Sequence, residues 1–66
     1  MLDEIVRKEL KARRNEAHMN QSDVAFKVGI SGSAYQRIEY GYVDPKPSVA
    51  EKLIELFDLP ADYFCN

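Results

Sequence analysis

Apolar side chains at Leu2, Ile5, Val6 and Leu10 recur at three- and four-residue spacing with arginine and lysine between them. That period predicts an amphipathic helix over about 3–17. Val24, Ala25 and Val28 form a second, shorter apolar face. Ahead of it stands Asn20, with Asp23 three residues on, the arrangement of an N-cap and its reciprocal capping-box partner, so a second helix is expected over about 21–28. Gly29 suits a left-handed turn, and Ser31 two residues later is a fresh N-cap. The link to a third helix, about 32–40 with Tyr35 and Ile38 inward and Gly41 as its stop, is therefore very tight. After a loop over 41–47, Ser48 is expected to cap a helix carrying Val49, Leu53, Ile54, Leu56 and Phe57 and ended before Pro60. Tyr63 and Phe64 fall in a last turn. Nothing alternates with period two over four or more residues, so no strand is predicted. The pattern reads as an all-α, compact four- to five-helix unit.

With 66 residues, the chain is expected to be one domain over 1–66 that buries only about 60% of its unfolded surface. A deep catalytic pocket is out of reach, and no Gly-x-Ser-x-Gly turn accompanies Ser33 or the lone His18. His18 reads as an exposed or helix-capping residue near the end of helix one. The single cysteine, Cys65, permits neither an internal disulfide nor a Cys/His zinc cluster, and nothing beside it in sequence would activate the thiol. No cofactor, metal or small-molecule ligand is expected. The N-terminus has no apolar signal region and no run of residues is long enough to span a membrane. A cytoplasmic protein is the expectation.

Nine Lys and Arg against eleven Asp and Glu give a net charge of −2, which taken whole argues against a polyanionic partner. The charge is uneven, however. Residues up to Tyr40 carry seven basic and six acidic groups, +1, whereas the remainder carries Lys46 and Lys52 against Asp44, Glu51, Glu55, Asp58 and Asp62, −3. A global charge says little about the field at one face.

Two short helices joined by a glycine-bearing turn, the second capped by serine and small and polar on its outer face, are the composition cue for a helix-turn-helix. A helix fits the major groove of B-DNA, where short or forked side chains can approach base edges. Helix three offers Gly32, Ser33, Gln36, Arg37 and Tyr40. Gln21 opens helix two, whose free N–H groups and positive dipole end favour a phosphate.

The strings Asn20-Gln-Ser-Asp-Val-Ala-Phe-Lys-Val-Gly-Ile-Ser31 and Tyr35-Gln-Arg-Ile-Glu-Tyr-Gly41 resemble the phage repressor and Cro type of helix-turn-helix protein, the XRE family. The likeness covers roughly 7–64, and the tail Leu53-Ile-Glu-Leu-Phe-Asp-Leu-Pro-Ala-Asp-Tyr-Phe64 is similar to that family's closing helix and final turn. The resemblance implies a lambda-repressor-like DNA-binding domain and a sequence-specific regulator. In that role it would be a repressor occupying a palindromic operator on double-stranded DNA as a homodimer. Position by position it implies that Gln21 clamps a phosphate, with Asn20 approaching the same strand. Gly32, Ser33 and Arg37 would face base edges with Gln36 beside them, and Tyr40 and Lys46 would meet the backbone as the chain leaves the groove. Gly32 can offer only backbone there. Arg14 would pair with Glu39 to brace helix three. The aromatics left at the end of the chain suggest a dimer surface centred on Leu59, Tyr63 and Phe64. The competing expectation is a protein-interaction module of the same fold, an antitoxin or anti-regulator, which the acidic C-terminal part favours.

Overall fold

The computed structural model describes residues 4–64 and contains four helices. They are α1 (Glu4–Glu16), α2 (Gln21–Val28), α3 (Gly32–Glu39) and α4 (Pro47–Phe57), with no strand among the described residues. A hydrogen-bonded turn at 61–64, closed by Tyr63 N–H to the Pro60 carbonyl at 3.0 Å, takes the place of the short fifth helix that the pattern allows. Leu2, counted in the first apolar stripe, and Cys65 lie outside the described residues.

The start of α2 follows from its sequence. The Asn20 side chain accepts from Asp23 N–H at 2.8 Å and the Asp23 carboxylate accepts from Asn20 N–H at 3.0 Å. Two otherwise unsatisfied donors are thereby satisfied. Gly29 closes α2 in the left-handed region at φ 78, and Ser31 Oγ accepts from Ala34 N–H at 3.1 Å to open α3. Three residues, Gly29 to Ser31, thus join the two helices.

Elsewhere the chain departs from the pattern reading. α1 ends at Glu16, where His18, exposed and at φ 57, takes the left-handed position that more often falls to glycine. α3 ends at Glu39 with Tyr40 as its C-cap. Ser48 is not the cap of α4: Lys46 is, without a side-chain hydrogen bond, because Pro47 occupies the first helical position. There the fixed φ of proline is already helical and its missing N–H is no loss. Ser48 lies inside the first turn, exposed.

Leu10, Val24, Ala25, Val28, Tyr35, Ile38, Val49, Leu53, Phe57 and Leu59 form the core. Ile5, expected inward, is 72% exposed. Buried Leu10 fixes the inward direction of α1, and five residues at 100° apiece put Ile5 about 140° away from it. Val6, four residues before Leu10, stays half-buried, and Arg14, four residues after it, points inward and is buried.

Leu59 is 6% exposed. It belongs to the core of a single chain, so it cannot lie on a free surface at the centre of a dimer face. The final turn folds back onto α1: the Tyr63 hydroxyl donates to the Val6 carbonyl at 2.9 Å, and Phe64 meets the Tyr63 ring edge-on with centroids 5.0 Å apart. Tyr63 and Phe64 remain half-buried. Burial, with the Glu9 charge adding to it and Arg13 opposing, pushes the Tyr63 hydroxyl up to about 12. Tyr63→Phe is expected to lower stability by about 0.5–1.5 kcal/mol, the net worth of one hydrogen bond. Because the folded state raises this group, its contribution is fully present below the ordinary value of 10.0 and is lost as pH rises through the folded value. Urea titrations of parent and variant at neutral pH and above pH 10 measure both effects.

Candidate nucleic-acid interface

Residues three, four and seven apart share one helix face. On α3 that spacing lines up Ser33, Gln36, Arg37 and Tyr40, and all four are exposed. Tyr35, Ile38 and Glu39 occupy the opposite side and are buried. Gly32 is half-buried beside α2, with Ser22 Oγ the nearest side-chain atom to where a Cβ would stand.

What holds this face in place is a buried ion pair. Arg14 Nε donates to Glu39 Oε2 at 2.9 Å and Arg14 Nη2 to Oε1 at 2.8 Å, a forked contact. The third guanidinium nitrogen, Nη1, donates to the Met19 carbonyl at 3.0 Å. The two side chains are only 10% and 2% exposed. Burial works to raise the Glu39 carboxyl, but the Arg14 hydrogen bonds and charge outweigh it and hold the group below the usual carboxylate range. The Tyr35 hydroxyl and the Gln21 amide act in the same sense. The Tyr35 hydroxyl is buried beside the pair without hydrogen-bond geometry, so its help is that of a nearby dipole. Burial and the Glu39 charge keep its own proton in place. Arg14, bonded to Glu39, is pushed up.

The sites expected from sequence fall into three places. Gln21, half-buried at the first position of α2, helps hold the Glu39 carboxyl below its usual range, and the next residue, Ser22, stands beside Gly32 at the start of α3. Asn20 precedes it, exposed, but its side-chain oxygen is occupied by the capping bond to Asp23, which leaves its amide group for other contacts. Lys46, exposed, borders with Arg37 an apolar groove between α3 and the loop before α4, floored by Ile30, Ile38 and Val49. That loop is held to α3 by Tyr42 N–H donating to the Arg37 carbonyl at 2.8 Å.

The structure adds residues that the sequence reading leaves out. Arg7 Nη1 donates to the Tyr40 carbonyl at 2.8 Å, fastening α1 to the end of α3. Gly41, at φ 82, lets the Arg7 stem pass so close that a Cβ would collide with it. The Tyr42 ring meets that of Tyr40 edge-on, centroids 6.2 Å apart. A signal for Arg7 was present: Arg7, Lys11 and Arg14 stand at i, i+4 and i+7 and so share one side of α1.

Among the described residues no cluster of histidine, cysteine and carboxylates could hold a metal. No helix of the described residues is long and apolar enough to cross a membrane. Neither curated proteins nor solved structures give a significant match to the chain. A protein-family model described as helix-turn-helix matches residues 10–64. That family is one of DNA-binding regulators, and its model spans the capped α2, the three-residue turn, the polar face of α3 and the helix that closes the core. On this match the chain belongs to the phage repressor and Cro type, or XRE family, of helix-turn-helix proteins.

Proposed function

We propose that the chain is a sequence-specific transcriptional regulator, a repressor that acts in the cytoplasm by occupying an operator as a homodimer. The observation that carries this reading is the exposed line Ser33, Gln36, Arg37 and Tyr40 on a helix whose other side is braced by a buried, forked ion pair. Such a face enters the major groove as a fixed body, with Arg37 reaching a base edge and Ser33 and Gln36 alongside it. Gly32 contributes close backbone approach. Gln21 and the N-terminus of α2 hold a phosphate, Asn20 the same strand, and Lys46 the backbone beyond the groove.

One recognition helix meets few base pairs, and two set about 34 Å apart double the contact. The half-buried Tyr63 and Phe64 at the end of the chain are the surface for the second copy. Sedimentation equilibrium is the check: a monomer at operator-saturating concentrations, with full affinity, overturns the dimer.

The test of the function itself is selection of bound sequences from a random duplex pool, followed by the salt dependence of the selected complex. Several neutralised phosphates give a steep negative slope of log affinity against log salt. A protein-interaction module, the reading the acidic residues after Gly41 favour, gives neither an enriched sequence nor such a slope. Gln21→Ala is expected to weaken binding to all duplexes nearly equally, by about 0.5–1.5 kcal/mol, since phosphate contacts position without specifying. A loss confined to one base pair would overturn that role.

A further inference from the structure

The flank of α3 beside its exposed line carries a different chemistry. Ala34, Arg37 and Ile38, three and four residues apart, share that flank. With Ile30 ahead of the helix they line the groove whose other wall is the loop before α4. Its volume is about 350 Å³, within the range of sites that hold small molecules. We propose that this groove binds an aliphatic monocarboxylate, a fatty-acid-like effector whose occupancy releases the chain from DNA. The effector role rests on the reading of the chain as a DNA-binding regulator; the binding site does not.

Three observations fit that ligand. The first is an apolar bed that meets water. Ile38 and Val49 are buried and close the bottom, whereas Ile30, Ala34 and Pro45 are half-buried and Val43 is 42% exposed. An alkyl chain laid there takes apolar surface of both partners out of water. The second is charge: among the lining residues Arg37 and Lys46 are basic and exposed, against one carboxylate, Asp44, which already has a partner. The rim is therefore net positive, and a guanidinium fork donates two parallel hydrogen bonds to a carboxylate. An ammonium headgroup has no such match. The third is preorganisation. The Arg37 carbonyl accepts from Tyr42 N–H at 2.8 Å and from Val43 N–H at 3.4 Å, which ties the start of the loop to α3. Pro45 and Pro47 fix two further backbone angles, so little chain freedom is left to lose on binding.

The coupling to DNA follows from shared side chains. Arg37 and Lys46, which line the groove, are the groups by which the proposed interface reaches a base edge and the backbone beyond it. A carboxylate held on Arg37 occupies the fork that a guanine needs and places negative charge where a phosphate strand approaches. Ligand and operator therefore oppose one another. By linkage, the factor by which the ligand weakens the operator is also the factor by which the operator weakens the ligand.

The experiment titrates the full chain with straight-chain carboxylates from butanoate to decanoate, each below its micelle concentration, and follows backbone amide chemical shifts. The expected result is saturable binding that moves the amides of Ala34, Val43 and Val49. Affinity should rise about two- to fourfold per added methylene until the groove is filled, and then level off. Octylammonium, the same chain with the opposite charge, should not bind. Ala34→Leu, which fills part of the groove with its own side chain, should level off at a shorter carboxylate, and Val43→Asn, which makes one wall polar, should weaken every member of the series. Saturating octanoate should weaken operator binding roughly tenfold, and the operator should weaken octanoate equally. Affinity that climbs without levelling, equal binding of octylammonium, or shifts spread over the whole molecule would mean detergent-like adsorption and overturn the site. Saturable binding in the groove with unchanged operator affinity overturns the effector role. A parent that binds no duplex overturns the regulator reading and the effector role with it, while the carboxylate titration by itself decides the site.

Discussion

Replacing Glu39 with alanine is expected to destabilise the chain by about 3–5 kcal/mol, the usual consequence of removing one partner from a buried ion pair. The guanidinium of Arg14 would keep only the Met19 carbonyl, at 3.0 Å, in a site where 10% of its side chain meets water. At about 0.05–0.15 kcal/mol per residue, the total stability of a chain this short is on the order of 3–10 kcal/mol, so that loss removes a large fraction of it. The loss measures an orphaned charge more than the net worth of the pair. A double variant, Arg14→Met with Glu39→Leu, is therefore expected to recover most of it. The pH dependence has a definite sign. The folded state lowers the Glu39 carboxyl from its ordinary 4.5, so its contribution is present above that pH and disappears as pH falls through the lower folded value. Urea unfolding of parent and variants from pH 7 down to pH 3 tests the set. An unchanged stability in Glu39→Ala, with DNA binding lost, would place Glu39 at the interface instead.

Arg37→Ala should leave the fold intact and lower affinity for the selected operator by about 1–3 kcal/mol, with preference relaxed at one base pair. Arg37 is exposed and its backbone is pinned, the carbonyl accepting from Tyr42 N–H at 2.8 Å, so the side chain projects from a fixed origin. The forked donors match O6 and N7 of guanine, and a guanine is the expected base. Arg37→Lys, which keeps the charge but not the fork, should retain the salt slope while losing most of the discrimination. Competition between the operator and single-base variants reads both. Unchanged preference in Arg37→Ala would remove Arg37 from base recognition.

Much of this arrangement was legible in the chain because it is local. The capping box at Asn20 and Asp23, the left-handed Gly29 and the cap at Ser31 each depend on residues within three or four positions. The Arg14 and Glu39 pair, separated by 25 residues, was accessible only through the resemblance to a known family. What stayed hidden was long-range or a contest between local preferences. The Arg7 bond to the Tyr40 carbonyl spans 33 residues, and only the angle between α1 and α3 creates it. At α4, serine as a cap competed with proline as a first helical residue, and the proline ring prevailed because its backbone angle is fixed in advance. Leu59 looked surplus because its partners come from α4 and from other helices, and no pattern of spacing near the end of the chain announces them.

The bond from the Tyr63 hydroxyl to the Val6 carbonyl bridges 57 residues and so encloses nearly the whole described chain in one loop. Closing such a loop is costly in chain entropy, and that cost grows with the number of residues enclosed. The contacts of α2 with α3, joined by three residues, require far less ordering and form the natural start of folding. The terminal clasp then closes after the rate-limiting barrier. Its loss in Tyr63→Phe should fall on the unfolding arm of a chevron plot, shortening the lifetime of the native state while leaving the refolding rate close to the parent's.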